Sequence, residues 1–224
     1  MRIGSLFSGI GGLELGLEWA GVGHTVWQVG REPFCLDVLA KHWPDAQRFD
    51  DVRTVGAHNL EPVDVICGGY PCQPFSHAGD RGGSADPRHL WPEFARIIRE
   101  LRPRFAVLEN VAAHLSLGFG DVLGDLAGMG YDAEWGVLRA SDFGAPHKRA
   151  RVWVVGYSNS DVQSNSSLDA ETRILPRPCE IERFWSNPPE HLSVVDGVPD
   201  RMGCTAYGNA LLPQIAEAIG RRLT

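Results

Sequence analysis

The chain predicts an α/β fold, a mainly parallel sheet with helices on both faces. Three observations predict it. Short β-branched runs alternate with amphipathic stretches of helical period through about residue 156. The run Val63-Asp64-Val65-Ile66-Cys67 stops at Gly68-Gly69, as a buried strand does on leaving its sheet. The loop Ser8-Gly9-Ile10-Gly11-Gly12 follows one apolar run and opens a helix, the usual form of a strand-to-helix turn.

Arg2–Phe7 reads as the first strand. Leu13–Ala20 reads as a helix with Leu13, Leu17 and Ala20 on one face and Gly21 placed to cap it. His24–Val29 is a second strand, and Pro33–His42 a helix that opens on proline and is stopped by Pro44. A third short strand precedes Asp51, and Val63–Gly68 is the central one. Pro92–Leu101 is a helix that turns Phe94, Ile97, Ile98 and Leu101 to the core. Phe105–Val111 is the next strand, with a helix near Asp121–Met129. Ala133–Leu138 and Arg151–Val155 suit an antiparallel hairpin at the sheet edge. After Tyr157 the sequence turns polar and rich in Pro, Asn and Ser, with little periodicity through Pro199; helical character returns at Pro213–Leu223. The expected units are 1–156, a short region 157–207, and 208–224 returning to the first.

A chain of 224 residues with 43% apolar and 22% charged residues can bury an ordinary core. It has no apolar run near the roughly 20 residues that span a bilayer, and its start reads as a strand rather than a leader, so a cytoplasmic protein is expected. Five cysteines without a Cys-x-x-Cys pair argue against a disulfide framework or a zinc knuckle, and no metal is expected. The net charge of −7 counts against a general nucleic-acid binder and leaves room only for a local basic cluster.

Several residues carry candidate chemistry. Cys72, between Pro71 and Gln73-Pro74, follows the central strand and is delivered to the edge where open α/β sheets hold ligands. It reads as a positioned nucleophile; a buried, inert thiol is the alternative. Glu109 closes the buried run Phe105–Leu108, where an acid is costly unless paired or functional. Glu32 ends the second strand about twenty residues past the glycine loop, where an acid can accept from ribose hydroxyls; a solvated helix-start acid is the alternative. Asp51-Val52 could serve an adenine ring or simply form a turn. Alternation sends Arg149 and Arg151 to one face, where they could grip an oxyanion or a base oxygen, or pair with local acids. Asn209 could cap the last helix or contact a ligand. The glycine loop lacks dinucleotide spacing, because position 14 is Glu14.

Taken in order, these segments resemble the cytosine carbon-5 DNA methyltransferases. The matching stretches are SLFSGIGGLELGLEWAG (5–21), REP (31–33), DDV (50–52), GGYPCQPFS (68–76), DPR (86–88), ENV (109–111), HKRAR (147–151) and GNALLP (208–213). The resemblance implies a Rossmann-like S-adenosylmethionine-dependent methyltransferase fold, with a mixed seven-stranded sheet and a small irregular recognition region. It implies S-adenosylmethionine as methyl donor and a cytosine flipped out of double-stranded DNA as substrate. On the same match Cys72 is the nucleophile, Glu109 holds the base at its amine and N3, Arg151 contacts O2, and Arg149 orients the pocket. Phe7, Gly9, Gly11, Glu32, Asp51, Val52, Pro71, Leu90 and Asn209 line the donor site.

The chain departs from the family pattern in three places. His147 stands where glutamine is common, the segment before Leu90 is one residue short, and the recognition region is compressed to about forty to fifty residues. This points to a compact, phage-type, monomeric member. Arg173, Arg177 and Arg183 are the candidate DNA-reading residues. Two other expectations compete: methylation of transfer RNA, and a donor-binding relative that no longer catalyses.

Overall fold

The computed structural model describes residues 1–71, 90–145, 148–159, 174–176 and 212–224. Its centre is a seven-stranded sheet: β1 (Arg2–Leu6), β2 (His24–Val29), β3 (Gln47–Phe49), β4 (Val65–Gly69), β5 (Phe105–Val111), β6 (Tyr131–Arg139) and β7 (Ala150–Ser158), in the order β3-β2-β1-β4-β5-β7-β6. The first five strands run parallel, and β7 is antiparallel to both of its neighbours. The expected hairpin is therefore present, with β7 inserted between β5 and β6.

The helices among the described residues are α1 (Gly12–Trp19), α2 (Pro33–His42), α3 (Trp91–Leu101), α4 (Phe119–Gly128) and α5 (Pro213–Gly220). Strand alternation sorts side chains into two apolar layers. One face buries Leu6, Ile66, Ala106, Leu108 and Val154 against Phe94, Ile97 and Ile98 of α3 and Val122 and Leu126 of α4. The other buries Ile3, Val65, Cys67, Val107, Trp153 and Val155 against Leu13 and Leu17 of α1 and Ile215, Ala216 and Ile219 of α5. Helix α5 docks closely on α1: a Cβ at Gly16 would lie 2.1 Å from the Pro213 carbonyl and 2.6 Å from Ala216 Cβ.

One stretch departs from the loop-like reading of the polar region. Ile174 and Leu175 are buried in the second layer. The Glu134 carboxylate on β6 accepts their backbone N–H groups at 2.6 and 3.2 Å. Two adjacent apolar residues in a polar context are too short a run to show a period, so this anchor leaves no mark in the hydrophobic pattern.

Topology places the site. With β2 on one side of β1 and β4 on the other, the connections diverge between β1 and β4, and the crevice at the carboxyl ends of the strands lies there. Parallel strands bring the ends of β1 to β5 to this edge, and antiparallel pairing brings the start of β7 to it as well.

Candidate active site

The donor-side half is built from turns. Phe7, just past β1, has φ of 57°, a left-handed conformation that a bulky residue adopts only when its surroundings hold it there. The loop is fixed by Ser8 N–H donating to Val29 O at 3.0 Å, by the Ser8 hydroxyl donating to Ser5 Oγ at 2.8 Å, and by Gly11 N–H donating to Ser8 O at 3.0 Å. Gly11 needs to be glycine twice over: its φ is 87°, and a Cβ would lie 2.4 Å from the Trp43 ring. Gly9, at φ of 54°, has nothing within 4 Å of an added Cβ, so there is room above the loop. Beneath it Glu14 is fully buried near Ser5, Ser8 and Gln28, and burial raises its pKa.

Past β2, Glu32 is exposed at the N-terminus of α2, and its side chain makes no capping hydrogen bond. Past β3, Asp51 accepts from Arg53 N–H at 3.0 Å and heads a short 3-10 turn, so its capping role is real. A carboxylate retains further acceptor sites after one such bond. Val52 is buried and its carbonyl accepts from Arg96, so it forms the floor of this end rather than an open face. Pro71 and Leu90 are half-buried at the two ends of the segment 72–89, and Leu90 packs against the core below α3.

The other half is built from buried charge. Glu109 pairs in register with Gly69 of β4 and Trp153 of β7. Its side chain reaches over Gly69, where a Cβ would come 2.8 Å from Glu109 Oε2. Arg151 Nε donates to Glu109 Oε1 at 2.9 Å. Burial pushes the Glu109 carboxyl from its ordinary 4.5 up to about 7, against the opposing pull of the Arg151 and Arg149 charges. Burial and the neighbouring Arg151 charge pull the Arg149 guanidinium down. Arg149 does bear on Glu109, but not by alternation: β7 starts at Ala150, and Arg149 sits before it with φ of 32°. A period-two argument stops where the extended backbone stops.

The structure thus brings Phe7, Gly9, Gly11, Glu32, Asp51, Val52, Pro71, Leu90, Glu109, Arg149 and Arg151 to one edge of the sheet. Cys72, His147, Arg173, Arg177, Arg183 and Asn209 lie outside the described residues. Sequence reasoning missed a brace beside Glu109. Asn110 Nδ2 donates to the Tyr70 carbonyl at 3.1 Å, and the Tyr70 hydroxyl and His114 Nε2 are 2.8 Å apart. The available signal was weak: one tyrosine and one histidine set in apolar stretches.

The room over Gly9, the strained Phe7 turn and the uncapped Glu32 carboxylate fit an adenosyl donor laid across the ends of β1, β2 and β3, with its methionine end at the glycine loop. A buried carboxyl of raised pKa beside two guanidiniums fits a planar, polar ring with donors and acceptors along one edge.

Known proteins are similar to this chain in sequence and in fold. The chain is 38% identical over 165 residues to the type II methyltransferase M1.HphI of Haemophilus parahaemolyticus, covering 67% of this chain and 44% of that protein. It is 32% identical over 188 residues to the type II methyltransferase M.Bsp6I of a Bacillus species, covering 81% and 58%. The chain spans about half the length of the curated relatives it matches. Among solved structures, a prophage-encoded DNA modification methyltransferase of E. coli superposes with a TM-score of 0.66 at 28% identity, over 85% of this chain and 56% of that one. Dnmt2 of Spodoptera frugiperda superposes with a TM-score of 0.61 at 23% identity, over 70% and 50%, which shows the shared fold. A family model described as C-5 cytosine-specific DNA methylase matches residues 1–183, and with this fold and this site the chain belongs to that family.

Proposed function

We propose that the protein transfers a methyl group from S-adenosylmethionine to carbon 5 of a cytosine flipped out of double-stranded DNA. The observation that carries this reading is Glu109: a buried carboxyl of raised pKa, held by Arg151, across Gly69 from the strand that leads through Pro71 to Cys72. Cys72 follows Pro71 directly in the sequence. No helix among the described residues is long and apolar enough to cross a membrane. On this reading the protein works on DNA as a monomer in the cytoplasm.

The donor supplies an electrophilic methyl group when bound; Phe7, Gly9, Gly11, Glu32, Asp51, Val52, Pro71, Leu90 and Asn209 are the residues that would hold it. The Cys72 thiolate adds to carbon 6 of the base, forming a carbon–sulfur bond, while Glu109 in its protonated form donates to N3. Arg151 neutralises charge at O2, and Arg149 keeps Arg151 and Glu109 in place. Carbon 5, made electron-rich by the addition, would take the methyl group, the bond from methyl to the donor sulfur breaking with its electron pair left on sulfur as a neutral thioether. A solvent species removes the carbon-5 proton, the carbon–sulfur bond breaks, the thiolate leaves, and the N3 proton returns to Glu109. A pKa of about 7 suits a group that must give and recover a proton near neutrality.

Residues 1–156 and 208–224 form the donor-binding and catalytic body on this reading, and residues 157–207, with Arg173, Arg177 and Arg183, contact DNA. The competing reading is methylation of transfer RNA; the net charge of −7 disfavours both polyanions alike and does not separate them. Labelled donor offered side by side with duplex DNA and with transfer RNA, followed by nucleoside analysis, separates the two. Label in 5-methyldeoxycytidine, lost in Cys72→Ala while donor binding persists, supports the proposal. Label in RNA alone, or undiminished turnover by Cys72→Ala, overturns it.

A further inference from the structure

Tyr70 stands two residues before Cys72 and is held at both ends. Its backbone carbonyl accepts from Asn110 Nδ2 at 3.1 Å. Its ring is buried among Trp91, Phe94 and His114, with centroids 5.3, 6.1 and 5.6 Å away. Its hydroxyl lies 2.8 Å from His114 Nε2. The other ring nitrogen of His114, Nδ1, lies 2.7 Å from the Leu117 carbonyl. That carbonyl can only accept, so Nδ1 carries the hydrogen, and a neutral ring then accepts from the tyrosine hydroxyl at Nε2. Burial raises the Tyr70 phenol, which keeps it a donor.

Both fixing groups come from the segment that follows Glu109: Asn110 on β5, and His114 in the 3-10 turn Ala112–Ser116. The segment that carries the acid therefore braces the segment that leads to the thiol. A phenylalanine at position 70 would fill the same apolar cage. The hydroxyl adds a directional bond to a ring contact that is otherwise free to slide, and so fixes the ring against the turn beyond Glu109.

We propose that Tyr70 and His114 are positioning residues for the thiol, a strut that sets how the chain leaves β4 so that attack on the base occurs in register with Glu109. The inference rests on the methyltransferase reading given above and adds two residues to its machinery. The strut acts on the attack: of the donor-side residues, Phe7, Glu32 and Asp51 lie at the ends of other strands, and Pro71, which adjoins Tyr70, has its φ fixed by its own ring, so donor Kd is expected to hold.

The test uses the full chain and S-adenosylmethionine with duplex DNA carrying 5-fluorocytosine, in which fluorine stands where carbon 5 would lose its proton, so that elimination is blocked after methyl transfer and the attacking thiol stays trapped. Adduct formation is timed for the wild type, Tyr70→Phe, His114→Leu and the double variant, alongside donor Kd and Tm. Each single variant leaves a buried polar partner unmatched, so Tm falls; the double variant replaces both polar groups and recovers much of it. The strut predicts that adduct formation slows roughly tenfold in both singles and stays slow in the double variant, with donor Kd unchanged. A rate that recovers together with Tm in the double variant means the pair serves stability alone and overturns the inference. So does a wild-type rate in Tyr70→Phe. A wild type that forms no adduct overturns the methyltransferase reading itself, and the inference with it.

Discussion

The two halves of the site edge are made from different materials. At the ends of β1, β2 and β3 the protein offers backbone turns, room above glycine and a carboxylate in open solvent at Glu32. At the ends of β4 and β5 and the start of β7 it offers buried ionisable groups packed on one another: Glu109, Arg151 and Arg149. The first half can bind a large, flexible, polar ligand at little cost to the fold. The second holds charge in low dielectric, which destabilises the free protein and is useful only if something arrives to exploit it. On the proposed reading the first half binds the donor and the second carries the chemistry.

The largest effect is expected from Glu109→Gln. It keeps the shape and removes the transferable proton, so methyl transfer should fall by about a hundredfold or more while donor Kd holds within roughly twofold. The same variant gives a stability signature. A carboxyl raised in the folded state contributes stability that is fully present at low pH and is lost as pH climbs from 4.5 through about 7. That shift amounts to roughly 3 kcal/mol at most. Denaturant titrations at pH 5 and pH 8 should show the wild type losing stability relative to Glu109→Gln at the higher pH. A pH-independent difference would contradict the raised carboxyl.

One substitution made in each half sharpens the comparison. In Gly11→Ala the new Cβ is strained at φ of 87° and meets the Trp43 ring at 2.4 Å. It should destabilise the fold by about 1–3 kcal/mol and weaken donor binding. In Gly69→Ala the new Cβ meets Glu109 Oε2 at 2.8 Å. It should slow transfer by roughly tenfold and leave donor Kd alone. If both alanines moved the same parameter, the division between the halves would fail.

Glu32→Ala should raise donor Kd by about tenfold, the equivalent of a charge-assisted hydrogen bond, with Tm unchanged because the side chain caps nothing. Isothermal titration with the donor reads this directly. The smallest effect belongs to Arg2→Ala. Its bond to Glu61 at 2.8 Å joins side chains 43% and 52% exposed, so about 0.5 kcal/mol or less is expected, with no change in Kd or rate.

What the sequence made legible follows from what each feature depends on. The strand ends and the helix faces depend on local period and local breakers, so β2, α2 and β5 fall on their expected boundaries, and Phe94, Ile97 and Ile98 are buried as their spacing requires. Glu109 was legible because a lone acid at the end of an apolar run is costly. The Glu134 anchor on Ile174 and Leu175, and the bond between Tyr70 and His114, were not legible. Each joins segments about 40 residues apart through the hydrogen bonds of one side chain, and so local a contact leaves no period to read. The pairing of Glu109 with Arg151 stands between these cases. Both residues were visible, but only the antiparallel register of β5 and β7, which sets Arg151 opposite Val111 and so diagonal to Glu109, brings them together.

The central claim is that the thiol at Cys72 attacks a base held by Glu109. The most direct measurement incubates the protein and its donor with duplex DNA containing 5-fluorocytosine, then maps any covalent adduct by mass spectrometry. A gel-stable adduct on the peptide containing Cys72, absent in Cys72→Ala, is the predicted result. No adduct across varied DNA sequences, or one carried by another residue, would contradict it.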